Sequence, residues 1–401
     1  MSNFPTDQIP LVERMQPHAF SIFGEMSKIA TQTQSVNLGQ GFPDTDGPME
    51  LKHAAIHAIG SGEGNQYPPA NGFPALREAI ASHQKRFYSI DVDPDTDVVV
   101  TTGASEALAS SLLALVEQGD EVVFFDPAFD VYRAGIDLAG GTPVGVPFLE
   151  TPDGRLRPDI ERLAGAITPR TRILLMNSPH NPTGVVFTPT EMQGIADIAI
   201  EHNLIVISDE AYEHLWFPGH QHVPFATLEG MSERTITVGS GGKSFSFTGW
   251  KVGWATGPTN LIAAVRGVRQ HLSYVSGGPF QIAMTTGLNL PDSYFIEFRA
   301  GLQAQRDQLS TGLADLGLRV LPTEGTYFLC TDISTLGYTD GLEFCHMLPR
   351  TFGVAAIPFQ VFTEGGTGFT TYVRWAFCKK PAVLTEALNR LSNLSRPHLV
   401  Q

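Results

Sequence analysis

Asp97-Val-Val-Val-Thr-Thr102, followed after Gly103-Ala104 by Ser105–Val116 (SEALASSLLALV), sets the architecture. An unbroken run of β-branched residues reads as a strand buried on both faces, and the small and apolar run after it as a helix. The pattern repeats outward to about Gly257. Glu121–Phe125 (EVVFF), Thr171–Met176 (TRILLM), Leu204–Ser208 (LIVIS) and Arg234–Val238 (RTITV) are further strands, with helices notably over Ile160–Ala166 and Pro189–His202. This alternation predicts an α/β fold whose mainly parallel sheet is covered by helices on both faces. Ligands of such sheets bind beyond the carboxyl ends of the strands, so the loops there are where chemistry is sought.

A second pattern begins near Pro291. A long charged helix over Ser293–Leu316 precedes strands at Tyr327–Cys330, Val354–Ile357 and Tyr372–Phe377, then a closing helix over Ala382–Leu394. The expected division is an N-terminal segment (1–48) packing on the small domain, a large domain (49–290) and a smaller α+β domain (291–401). The N-terminal segment reads as loop-rich, especially Asn37–Asp44 (NLGQGFPD). No internal repeat or low-complexity tract interrupts the chain.

Composition narrows the function. The 401 residues are 42% hydrophobic and 17% charged, as in a soluble globular protein. With 26 Lys+Arg against 41 Asp+Glu the net charge is −15, which argues against nonspecific binding to nucleic acid or anionic membranes. Cys330, Cys345 and Cys378 lie far apart and read as reduced thiols. The start lacks a signal-peptide pattern, and no apolar run approaches the ~20 residues of a membrane span. The expected location is cytoplasmic.

The most informative loop is Ser240–Trp254 (SGGKSFSFTGWKVGW), too rich in Gly and Ser to be expected as helix. Gly241 and Gly242 let another group approach closely just before Lys243. A lysine in a partly buried pocket has a lowered pKa and forms imines with carbonyls. Lys251 could stay charged and bind an anion with the Ser240 hydroxyl. Phe245, Phe247, Trp250 and Trp254 argue against a plain solvated loop.

Five other segments stand at predicted strand ends or within a strand. Asn177–Gly184 (NSPHNPTG) is a rigid turn that could aim the Asn181 amide into the crevice, although NPTG alone is an ordinary turn. Asp209, in Ser208–Tyr212 (SDEAY), is a carboxylate at a strand end that suits a cationic partner or a helix N-cap. The partner could be a protonated pyridine nitrogen or a metal; no histidine cluster of ligand spacing accompanies it, and metal is discounted. Thr102–Ala107 (TGASEA) places a helix N-terminus after a strand, where anions bind. Arg374, inside apolar Tyr372–Phe377, requires an anion: a bound carboxylate or a structural partner. Phe129 and Tyr132, after EVVFF, could stack on a flat ring or pack in the core.

In this order the motifs resemble the class I aminotransferases of pyridoxal-phosphate fold type I. NLGQGFPD, NSPHNPTG, SDEAYEHL, SGGKSFSFTGWKVGW and VRWAFCK carry the resemblance, from about Val36 to Lys379. The branch resembled holds the kynurenine aminotransferases, glutamine transaminase K and bacterial N-succinyldiaminopimelate aminotransferases. The resemblance implies a large domain with a seven-stranded, mainly parallel sheet and a smaller α+β domain.

It also implies pyridoxal 5'-phosphate, carried as a Schiff base on Lys243, with Lys243, Asp209 and Tyr212 catalytic. Asp209 would pair with the ring nitrogen. Asn181 and Tyr212 would bond its phenolic oxygen, and Phe129 would stack on the ring. The backbone of Ala104 and Ser105, with Ser240 and Lys251, would hold the phosphate. Tyr67 would reach that phosphate from a neighbouring subunit, making a homodimer with shared sites. Arg374, helped by Asn181 and the backbone near Gly39, would take the substrate carboxylate. Phe23, Phe129 and Tyr274 could line a larger substrate pocket.

The implied reaction moves an amino group between an L-amino acid and a 2-oxo acid. Asn65–Pro69 (NQYPP) and His271–Gln281 (HLSYVSGGPFQ) look most like the bacterial branch. They point to N-succinyl-LL-diaminopimelate with 2-oxoglutarate and glutamate, as in lysine biosynthesis. A kynurenine-, glutamine- or methionine-type enzyme with cysteine-S-conjugate β-lyase side activity is the alternative. A transcription regulator built on this fold would need a DNA-binding domain ahead of NLGQGFPD, for which too few residues are expected.

Overall fold

The computed structural model describes residues 11–366 and 368–394. Seven strands form the main sheet: β1 Val98–Thr101, β2 Glu121–Asp126, β3 Thr142–Pro147, β4 Thr171–Asn177, β5 Ile205–Asp209, β6 Thr235–Ser240 and β7 Gly253–Thr256. Their order is β1-β7-β6-β5-β4-β2-β3. Every neighbouring pair is parallel except those of β7, which runs against both β1 and β6.

The Val and Ile runs became central strands because both faces of the sheet are covered. In β1, Val99 joins one apolar cluster while Val98 and Val100 join another on the opposite face, the period-2 alternation of a strand. Each such burial is worth about 1.5–3 kcal/mol. Two strands had no sequence signal. β7 lies within the Gly- and aromatic-rich loop, and β3 carries prolines that only an edge position tolerates. The helix Pro189–Glu201 starts where a capping box places it: Thr188 accepts the Glu191 amide at 3.2 Å, and Glu191 accepts the Thr188 amide at 2.7 Å.

A four-stranded antiparallel sheet contains β8 Arg319–Val320, β9 Phe328–Asp332, β10 Ile357–Pro358 and β11 Tyr372–Ala376, in the order β8-β9-β11-β10. The expected single strand over Val354–Ile357 is divided. Val354–Ala355 pairs in parallel with Val36–Asn37, while Ile357–Pro358 pairs with β11. The N-terminal segment is therefore stitched to this part of the chain by backbone hydrogen bonds.

That segment is also less loop-rich than expected. Ile22–Gln32 is a helix that buries Met26, Ile29 and Ala30, a spacing that puts all three on one face. Helices Asp292–Asp315 and Pro381–Arg390 flank the smaller sheet in sequence. The expected segments 1–48 and 291–401 extend into 1–10 and 395–401, which lie outside the described residues. All three cysteines are free and buried. Among the described residues no helix is long and apolar enough to cross a membrane.

Candidate active site

The carboxyl ends of β4, β5 and β6 open on a cleft of about 280 Å³. Phe23, Ala104, Ser105, Phe129, Asn181, Asp209, Tyr212, Ser240, Lys243, Lys251 and Arg374 all line it.

Its floor is made by paired strand ends, Asn177 of β4 lying opposite Asp209 of β5. The Asn177 amide donates to the Asp209 carbonyl at 2.7 Å, and its side-chain oxygen accepts the Asn181 N–H at 2.7 Å. One side chain thus fixes both the NPTG turn and the acid beside it. The Asp209 carboxyl accepts the Tyr132 hydroxyl at 2.7 Å and the Ala211 N–H at 3.2 Å. Burial raises its pKa, against the pull of those two hydrogen bonds and of Lys243. No helix follows Asp209, so it caps none. Tyr132 is buried with its hydroxyl on Asp209, while Phe129 lines the cleft wall.

Gly241–Ser244 forms one helical turn, contrary to the expectation of no helix. A single turn needs little intrinsic propensity when packing holds it. A Cβ on Gly242 would sit 3.1 Å from the Thr248 Cα, and one on Gly241 would strike Met284. The Lys243 amine donates to the Tyr327 hydroxyl at 2.8 Å. Burial foremost lowers its pKa to about 8.

The helix Gly103–Leu115 begins at the cleft, where its free N–H groups and positive dipole end favour an anion. The Lys251 amine lies 3.5 Å from the Ser105 hydroxyl. Two glycines permit this approach. Gly103 has φ 72°, and a Cβ on Gly253 would come 2.6 Å from the Ala104 nitrogen.

Arg374 projects from β11 and is fully buried. It donates to the Asn181 side-chain oxygen at 2.8 Å and to the Gly39 carbonyl at 3.1 Å. Its guanidinium carbon lies 3.9 Å from the Phe328 ring centroid, 4.6 Å from Phe362 and 5.4 Å from Phe23. Burial lowers its pKa to about 10, which leaves it charged at neutral pH. Among the described residues no carboxylate stands at ion-pair distance, and its Nε has no partner. A buried cation without an anion is the mark of a site for one.

The sequence pattern of aminotransferase class I and II matches residues 33–391. The chain belongs to this family. The aminotransferase is 48% identical over 393 residues to the "Probable N-succinyldiaminopimelate aminotransferase" of Mycobacterium tuberculosis, covering 96% of this chain and 98% of that protein. It is 39% identical to the methionine aminotransferase of Escherichia coli, over 93% of this chain and 96% of that one. To human kynurenine–oxoglutarate transaminase 1 the identity is 36%, over 90% and 92%. The solved structure of the mycobacterial N-succinyldiaminopimelate aminotransferase superposes with a TM-score of 0.94, over 96% of this chain and 100% of that one. The protein is a transaminase, acting on amino and oxo acids, in a family whose cofactor is pyridoxal phosphate.

Three expected residues stand outside the aminotransferase's cleft. Gly39 touches it only through its carbonyl on Arg374. Tyr67 is 81% exposed and meets Tyr274 edge-on at 5.6 Å, beside a separate groove along Val275–Pro279. Conversely, Tyr327 and Asn177 were not assigned to the site from sequence, and Tyr132, weighed as a stacking or core residue, instead reaches Asp209 through its hydroxyl. Asn177 carried a signal, as the residue ending a buried strand before the NPTG turn. A buried pair, His83 and His214, is hydrogen bonded at 2.8 Å with Glu213 beside it; His83 comes from a distant helix, invisible to ligand spacing.

Proposed function

We propose that this aminotransferase binds pyridoxal 5'-phosphate in the cleft and transfers the amino group of N-succinyl-LL-diaminopimelate to 2-oxoglutarate, as a cytoplasmic homodimer. The observation that carries the proposal is the convergence of a half-buried amine, Lys243, and a buried carboxyl, Asp209, on one cleft with Arg374, a buried cation with no carboxylate at ion-pair distance among the described residues. The residues present fit the cofactor. The Asp209 carboxyl, its pKa raised by burial, gains most from a cationic ring nitrogen, and the Arg374 Nε offers an unused donor.

When bound, the cofactor supplies an aldehyde that captures amines and a ring that accepts the electron pair left at the substrate α-carbon. Lys243 is its attachment point and, once released, the base that removes the α-proton and returns it. A held general base is worth about 10²–10⁴-fold. Asp209 would hold the ring nitrogen protonated. Asn181 and Tyr212 would hold the phenolic oxygen, and Phe129 would lie against the ring. Ala104, Ser105, Ser240 and Lys251 would hold the phosphate. Tyr67 is offered to the phosphate site of a second subunit. Arg374, seated on Asn181 and Gly39, takes the α-carboxylate, with Phe23 above it. The chain divides on this reading into an N-terminal segment (1–48), a large domain (49–290) and a small domain (291–401).

The 48% identity to the mycobacterial protein, against 39% and 36% for the methionine and kynurenine enzymes, supports the succinylated substrate. The aromatic rings of Phe23, Phe328 and Phe362 around Arg374 favour a second reading, an apolar or aromatic amino acid. A panel of single half-reactions separates them. Cofactor-loaded protein is mixed with N-succinyl-LL-diaminopimelate, glutamate, kynurenine, methionine or glutamine, and loss of the bound cofactor's visible absorbance is timed. Fastest conversion by kynurenine or methionine overturns the succinyl assignment. Lys243→Ala abolishes both that absorbance and turnover; survival of either overturns the site.

A further inference from the structure

Tyr327 is fully buried where three parts of the chain meet. Its hydroxyl donates to the Gly41 carbonyl at 2.6 Å and accepts from the Lys243 amine at 2.8 Å. A phenol has one proton, and a carbonyl can only accept, so that proton belongs to Gly41. The oxygen's lone pairs remain to accept from Lys243.

We propose that Tyr327 is a positioning residue for proton transfer. It holds the released Lys243 amine with its lone pair facing the cleft, and does so only while the loop carrying Gly41 is seated. The proposal rests on the aminotransferase reading above. A neutral amine has two N–H bonds and one lone pair. Anchoring one N–H on a fixed oxygen confines the lone pair to a narrow cone, whereas an unanchored lysine end rotates freely.

The surroundings over-determine the phenol. Thr326, a β-branched residue, sits at φ 64°, a strained conformation that aims the next side chain. It is held by a hydrogen bond from its N–H to the Leu215 carbonyl at 2.8 Å. The Tyr327 and Tyr212 rings meet edge-on at 5.4 Å. A Cβ on Gly41 would fall 2.8 Å from the Tyr327 ring and collide with Phe328, so only glycine lets that carbonyl reach the hydroxyl. Gly41 belongs to the loop after Val36–Asn37, which pairs with Val354–Ala355.

Tyr327→Phe tests the assignment, since it keeps the ring. With glutamate as donor, the first half-reaction should slow about 10- to 100-fold, the loss expected of a misplaced base. The isotope effect of α-deuterated glutamate should rise, with KM and cofactor content unchanged. A second readout uses cofactor-free protein. The rate of Lys243 carbamylation by cyanate against pH, followed by mass spectrometry, gives the amine's apparent pKa. Losing an acceptor for the ammonium should lower it by about half a unit to one unit. If that variant does not fold, 3-fluorotyrosine at position 327, a weaker acceptor, should shift the pKa in the same direction. Wild-type half-reaction rates with an unmoved pKa overturn the proposal, as does a loss confined to KM or cofactor content with the pKa unmoved. Wild-type protein that takes up no cofactor would sink the aminotransferase site itself, and the carbamylation comparison would still judge Tyr327.

Discussion

The Arg374 guanidinium and the Asn181 side-chain oxygen are joined at 2.8 Å, which ties the smaller sheet to the turn at the end of β4. The arginine's orientation is thereby set before any substrate arrives. Arg374→Lys keeps the charge and loses the fork. It should weaken amino-acid binding by about 10- to 100-fold, the value of one charge-assisted hydrogen bond. Cofactor content should not change. Titration of half-reaction rates against donor concentration measures the effect.

Lys243 makes stability depend on pH. Its pKa falls from the ordinary 10.5 to about 8 in the folded chain, because burial disfavours the ammonium. Between these values the unfolded chain holds more protons, so stability rises with pH across this window. The burial cost is fully present below pH 8 and relieved as pH climbs towards 10.5. Cofactor-free wild-type protein should gain on Lys243→Met by about 1 kcal/mol per pH unit there. Urea unfolding of both proteins at matched pH checks it.

Glu324 joins distant segments in the buried interior. It accepts from Arg155 and Arg157, each at 2.6 Å, and from the Val186 N–H at 3.0 Å. Removing the acid strands the Val186 N–H and takes the 2.6 Å partner from Arg157, which keeps only the Val186 carbonyl and the more distant Glu191. Glu324→Ala should cost about 3–5 kcal/mol, read from chemical denaturation, and Glu324→Gln less. Since Glu324 lies close before Tyr327, surviving folded protein should also show slower proton transfer.

Tyr67 lies outside the cleft of its own chain and is exposed. In the proposed homodimer, Tyr67→Phe should lower cofactor affinity up to about tenfold, as for one hydrogen bond, without altering the protomer's fold. Dialysis against decreasing cofactor, with sedimentation to follow assembly, measures both. Unchanged cofactor retention would place Tyr67 outside the shared site.

Residues near one another in the chain were the legible ones. Lys243, Asp209 and Asn181 could be singled out because each follows a buried strand, and side chains there face the crevice whatever the sheet order. Arg374 was legible for another reason, a lone cation in an apolar strand. Gly103 and the helix after it marked the anion end from a strand–glycine–helix pattern.

Unbroken Val and Ile runs and ordered motifs depend on local chemistry, and sequence alone determined from them the α/β architecture, the family and the cleft's main residues. Tertiary structure alone decided that β7 runs antiparallel, that Val354–Ile357 serves two sheets, and that Tyr132 turns its hydroxyl to Asp209. It alone brought Tyr327 to Lys243, 84 residues away. Periodicity states which face of a strand is buried. Which distant side chain waits beneath that face is set by strand order and packing, and no local pattern encodes it.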